Sequence, residues 1–145
     1  MQYKWRIMAI DSYPNNIAII QSDIDGIRNW DINYVKAKRR ENAEIIINTL
    51  NKDVLVYDSL NSSDVPFFVP IFLPGDARMK LCEMLDKNNI FCSILWGRPD
   101  GYRGTCNMYD ADFGLVCDER YNTTQIHNMV GLINGCLEEF DLRCV

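Results

Sequence analysis

An α+β fold is what the 145-residue sequence predicts: a small, mainly antiparallel sheet with helices packed on one face, preceded by a long N-terminal helix. Three observations lead there. A helical period runs through the first third of the chain. Short apolar runs bounded by turn residues occupy the middle. Helical spacing returns between residues 76 and 87 and again after Asn122. The resulting order is helix, strand, strand, helix, strand, strand, helix, which suits helices stacked on one side of a sheet.

Residues 1–16 read as a linker, because Pro14 and the following Asn15-Asn16 break whatever precedes them. The folded domain is expected over 17–145. Its first helix runs from about Ile17 to Leu50. Ile17, Ile20, Ile24 and Ile27 recur at three- and four-residue steps, and Trp30 and Tyr34 extend the stripe. Gly26 weakens it by about 1 kcal/mol relative to alanine. Ile45-Ile46-Ile47 is β-branched, yet it continues a charged helix without a turn signal and stays helical. Asn51-Lys52-Asp53 stops the helix.

Val54–Tyr57 predicts a short strand, and Asn61–Asp64 a loop. Phe67–Leu73 predicts a second strand, strongly apolar but interrupted by Pro70. Proline donates no ladder bond, so Pro70 should mark an edge or a bulge. Pro74-Gly75 turns the chain, and Asp76 is placed to cap a helix whose buried face is Ala77, Leu81, Met84 and Leu85. Asn88-Asn89 can end that helix in a left-handed conformation. Further strands follow over Ile90–Trp96 and Asp112–Cys117, separated by a loop rich in Gly, Asp and Tyr (Gly97–Asp110). A loop that long suggests function. Asn122 with Gln125 has the spacing of a capping box, and Ile126, Met129, Val130, Ile133, Leu137 and Phe140 form one helical face.

Composition narrows the function. Hydrophobic content of 48% and charged content of 24% are those of an ordinary globular chain. A net charge of −5 argues against nucleic acid and gives no reason to expect an anionic membrane. No stretch reaches the roughly 18 apolar residues of a membrane span, and the N-terminus lacks a signal-peptide pattern, so the cytoplasm is the expected compartment. Six cysteines contain no C-x-x-C pair and share the chain with one histidine, His127. They read as small buried hydrophobes in a reducing environment rather than as a zinc site. No Ser/His/Asp set can be assembled, and neither phosphate-binding glycine motif is present.

The run from Val65 to Tyr121 carries an ordered set of motifs. Phe68-Val69-Pro70-Ile71 is followed by Arg78, then Asn88-Asn89-Ile90, Trp96 and Pro99, Gly114-Leu115-Val116-Cys117, and Asp118-Glu119-Arg120-Tyr121. Lys38-Arg39-Arg40-Glu41-Asn42-Ala43 precedes them on the long helix. The set resembles the C-terminal small domain of the DegT/StrS-type, fold-type-I sugar aminotransferases. Those enzymes show an R-R-x-N helix segment, an F-P-I strand followed by an arginine, a W-x-x-P segment and a D-x-R-Y turn before the last helix. The resemblance covers about Ile17 to Phe140. Leu95 stands where a histidine often precedes the tryptophan, and Cys117 where a proline usually ends the last strand.

The resemblance implies a pyridoxal-phosphate enzyme of nucleotide-sugar metabolism and polysaccharide biosynthesis. It would transfer an amino group from an amino acid, with glutamate the expected donor, to a keto-sugar nucleotide. The family's Schiff-base lysine and phosphate-binding groups lie in a large domain upstream. None of the lysines here stands in the serine-to-lysine motif, so the chain alone is expected to bind no cofactor and to be inactive. The implied partners are the large domain of the same enzyme, a second copy in a homodimer and the nucleotide-sugar substrate. Trp96 and Arg98, at a strand exit beside the long loop, are the candidate substrate contacts; the arginine suits a phosphate or carboxylate. Arg120 and Tyr121 read rather as pins for the last helix, with Asp118 an ion-pair partner for a nearby arginine. Lys36, Lys38, Arg39 and Arg40 read as a solvated helix face, and Asp110 and Asp112 as loop charges. The alternative is a stand-alone α+β interaction or dimerisation module without catalysis.

Overall fold

A computed structural model describes residues 21–73, 75–95, 98–103 and 108–140. The chain divides into two compact units, residues 1–31 and 32–145. In the first unit, α1 (Gln21–Arg28) spans two turns. It closes where the amides of Asn29 and Trp30 donate to the carbonyls of Asp25 and Ile27. Ile27 and Trp30 are more than half exposed.

In the second unit, α2 (Ile32–Thr49) is followed by a 3-10 turn (Lys52–Val54), β1 (Phe68–Phe72) and α3 (Gly75–Lys87). A single helical turn, α4 (Met108–Ala111), then leads into β2 (Asp112–Val116) and α5 (Thr123–Leu137). The helix expected over 17–50 is thus two helices, interrupted at Asn29-Trp30-Asp31; Ile17 and Ile20 lie outside the described residues. Asn and Asp side chains compete for local backbone bonds, which favours helix ends over interiors. The buried stripe of α2 also differs from the predicted one. It consists of Val35, Asn42, Ala43, Ile46 and Ile47, with Leu50 buried just past the helix end, while Tyr34 is exposed. Asn134 on α5 anchors the end of α2: its side chain donates to Thr49 O at 2.9 Å and accepts from Asn51 N at 2.9 Å.

β1 and β2 pair antiparallel, from Phe68 opposite Val116 to Phe72 opposite Asp112. By pleat, Val69, Ile71, Phe113 and Leu115 share one face, and all four are buried. They form one core with Ala43, Ile46 and Ile47 of α2, Leu81 and Leu85 of α3 and Ile126, Val130 and Ile133 of α5. The helices therefore cover one face of an antiparallel sheet, the α+β arrangement predicted. Asn89 adopts φ 58° and ends α3 in the left-handed conformation, with Ile90 N donating to Leu85 O. α3 begins at Gly75, so Asp76 falls inside its first turn rather than at the cap. Both halves of the Asn122/Gln125 capping box are formed.

The outer strands are shorter than expected. Val54–Tyr57 is reduced to a bridge between Leu55 and Ile71, and Ile90–Trp96 to one between Ser93 and Gly114. Pro70 explains the first. Its carbonyl accepts from Val56 N at 3.5 Å, but without an N–H it returns no bond and the ladder stops. It sits beside a short, incomplete edge segment rather than in a bulge. At the second bridge, Leu95 folds over Gly114. A Cβ added at Gly114 would stand 2.8 Å from Leu95 Cδ2. Gly114→Ala is expected to cost about 1–2 kcal/mol in urea unfolding, because Leu95 must shift. Adding Leu95→Ala should relieve that clash; equal interaction with and without Leu95 would sink the explanation. Among the described residues, no helix is long and apolar enough to cross a membrane.

Candidate functional site

The long loop between the last two predicted strands is tied to the fold by a buried ion pair. Arg78, in the first turns of α3, donates through Nη1 to the carbonyls of Tyr109 (3.2 Å) and Asp112 (3.4 Å) and to Asp112 Oδ1 (3.5 Å). Asp112 Oδ2 accepts the amide of Leu95 at 2.8 Å. The two side chains are 13% and 3% exposed, so the pair is shielded from solvent. Asp112 is therefore no loop charge. It fixes the strand exit at Leu95, while its partner Arg78 fixes the return at Tyr109. An acid opening an apolar strand needs a cation, and that was the available signal for it.

On this frame Tyr109 meets Tyr102 edge to face, with centroids 4.9 Å apart. The Arg98 guanidinium carbon lies 5.7 Å from the Tyr102 ring centre. Arg98 itself is exposed. Cation–π attraction holds a guanidinium beside an aromatic ring, and guanidinium N–H groups suit phosphate or carboxylate. Trp96, the other residue singled out from sequence, lies outside the described residues. Tyr102 and Tyr109 were missed individually, although they belong to the loop that was flagged.

A second constellation joins the basic segment of α2 to the turn before α5. Arg39 Nε donates to Glu119 Oε2 at 2.6 Å, and its guanidinium lies 5.3 Å from the Phe67 ring centre. Arg40 Nη1 donates to the carbonyls of Asn61 and Asp64, and its Nε pairs with Glu44 at 2.8 Å. Arg39 and Arg40 are thus tethers rather than part of a solvated face, because α2 packs beside both the 61–64 turn and the 118–121 turn; Lys36 is exposed and Lys38 pairs with Glu41 on the same helix, as a solvated face would have them. Buried Asn42 donates from Nδ2 to the carbonyls of Asp118 (2.9 Å) and Tyr121 (3.0 Å). Asp118 accepts from Arg120 at 2.7 and 3.0 Å. Arg120 is exposed and His127 lies on the surface.

The Arg120 side chain, donating to Asp118, holds that carboxyl below its usual range; Arg39 does the same to Glu119. The sign follows from linkage. Carboxyls depressed in the folded state contribute stability above their unfolded pKa, near 4, and lose it as pH falls through the folded values. Glu119→Gln should therefore lower stability at neutral pH by about 0.2–1 kcal/mol and flatten the acid limb of a melting-temperature profile. An unchanged acid limb would refute the role.

Among the described residues the four cysteines are free thiols. Burial pushes the Cys92 thiol up to about 11 and that of Cys117 to about 12, so both stay protonated at neutral pH. A pyridoxal phosphate would need a lysine beside a phosphate site; of the described lysines, Lys36 is exposed. Lys38 is bound to Glu41 and Lys52 to Ile47 O. Lys80 and Lys87 line an open groove between α3 and α5 together with Glu83 and Glu139, whose carboxylates repel a phosphate. No catalytic step through that group is derived from this chain. Compared with known proteins, the chain matches no family, no curated protein and no solved structure.

Proposed function

We propose that the chain is the C-terminal small domain of a pyridoxal-phosphate-dependent aminotransferase of the DegT/StrS type, acting in the cytoplasm on keto-sugar nucleotides with glutamate as amino donor. One observation carries the reading. The motif segments that suggest the family are joined pairwise in space: Asn42 and Arg39 hold the Asp118–Tyr121 turn, and Arg78 holds the return of the long loop at Tyr109. A scaffold that spends its motif residues on positioning one loop suits a domain forming one wall of a cleft. The catalytic lysine and cofactor phosphate site would come from the large domain, and the substrate phosphate would meet Arg98. A homodimer of the whole enzyme is expected.

The test has two parts. Pyridoxal phosphate titrated into the isolated chain should give no stoichiometric, borohydride-trappable adduct; trapping at one lysine would overturn the division of labour. In the full-length protein, assayed with glutamate and a keto-sugar nucleotide, Arg98→Ala should raise KM about ten-fold with a smaller change in kcat, the loss of one charge-assisted contact. Absence of amino transfer by the full-length protein would remove the reading altogether.

A second reading, a non-catalytic interaction or dimerisation module, is favoured by the exposure of Ile32 and Tyr34 at the start of α2. Sedimentation decides for or against it. A strictly monomeric species at high concentration counts against the module.

A further inference from the structure

The outer edge of β1 carries a feature that the aminotransferase reading does not use and on which the following inference rests independently. In antiparallel pairing, successive residues direct their backbone groups to alternate sides of the strand. Gly114 exchanges both bonds with Ser93, at 3.3 and 2.8 Å. Gly114 therefore turns its backbone groups away from β1, as do Asp112 and Val116 on the same side. By the register, their partners Pro70, Phe72 and Phe68 turn theirs away from β2. The bond from Val56 N to Pro70 O lies on that outer side. Beyond it the chain leaves the sheet, since Pro70 cannot reciprocate.

What remains is an open groove of about 550 Å³, lined by Tyr57, Leu60, Asp64, Pro66 and Phe68 among others. The Phe68 N–H and C=O face this side and have no backbone partner there among the described residues. The walls are largely apolar, and the rim carries the Asp64 carboxylate. Asp64 Oδ2 accepts from Asn61 N (2.7 Å) and Nδ2 (3.1 Å). Among the described residues no cationic side chain pairs with that carboxylate; the nearby Arg40 pairs with Glu44 and reaches only the Asp64 backbone.

We propose that this groove binds an extended peptide segment of a partner protein. One residue of the peptide exchanges backbone bonds with Phe68, its apolar side chains lie on Leu60 and Pro66, and a lysine or arginine meets Asp64. This is strand addition confined to one residue by Pro66 and Pro70. The same two prolines argue against a second copy as occupant. Pairing two copies about Phe68 would set Pro66 of each opposite Pro70 of the other, with no N–H to give on either side. The acidic rim likewise disfavours an anionic ligand.

The experiment is an amide chemical-shift titration of the ¹⁵N-labelled chain with the capped peptide acetyl-Leu-Lys-Leu-Lys-Leu-amide. The Phe68 amide should shift most, with Tyr57 and Leu60 following. The glutamate counterpart and the fully N-methylated peptide should bind more weakly. Asp64→Asn keeps an acceptor for Asn61 and should weaken the lysine peptide about two- to five-fold, as an exposed ion pair would. Three results would overturn the proposal: no shift at Phe68, equal binding of the lysine and glutamate peptides, or undiminished binding after N-methylation. Movement of Phe68 with protein concentration alone would assign the groove to a second copy and overturn it equally.

Discussion

Asp112→Ala is expected to destabilise the second unit by about 3 kcal/mol. Removing the carboxylate leaves the Arg78 guanidinium, 13% exposed, without a counter-charge. It also strips the Leu95 amide of its acceptor. Arg78 already has a buried Nε without a partner, so it has no reserve of bonds to fall back on. The double variant Arg78→Met, Asp112→Ala should recover part of the loss, because it removes the uncompensated charge as well. Urea unfolding followed by circular dichroism reads both. A single-variant loss under about 0.5 kcal/mol, the size of an ordinary surface change, would show that the pair does not organise the loop.

The second large effect concerns Asn42, which is fully buried. Its amide donates to two carbonyls of the turn before α5, so Asn42→Ala should cost about 2–3 kcal/mol. Asn42→Asp is nearly isosteric yet should cost more at neutral pH. A carboxylate there has no hydrogens to give and faces two carbonyl oxygens. Its stability should improve as pH falls and the carboxyl is protonated. If the aspartate variant is as stable as wild type at neutral pH, the donor role assigned to Asn42 is wrong.

Sequence and structure agree where the instruction is local. The end of α3 at Asn89 and the Asn122/Gln125 capping box are each written within a few neighbouring residues. The alternation of β1 survives because Val69 and Ile71 must face the core. Agreement fails where an outcome depends on a partner. Val54–Tyr57 has strand composition, but the strand it lies beside presents a proline. The period through Ile27, Trp30 and Tyr34 imitates a buried stripe, while these residues are in fact exposed. At the candidate site, Arg98 was legible as a cation at a strand exit. The Arg78–Asp112 frame was not, because its members are 34 residues apart and nothing near Asp112 advertises the helix that will pack on it. Likewise Arg39 and Glu119 are 80 residues apart, and a basic run reads as solvated until its acidic partner is brought to it.

The sequence by itself determined the α+β class, the core faces of α3 and α5, the two helix termini and the position of the loop carrying Arg98. Periodicity and capping act over one or two turns, and those features need nothing further. Only the tertiary structure decided that Asp112 and Asn42 are buried fastenings. It also decided that β1 keeps an unpaired outer edge at Phe68. Burial and hydrogen-bond satisfaction depend on what the chain brings alongside each residue, and that is set by packing across the whole unit.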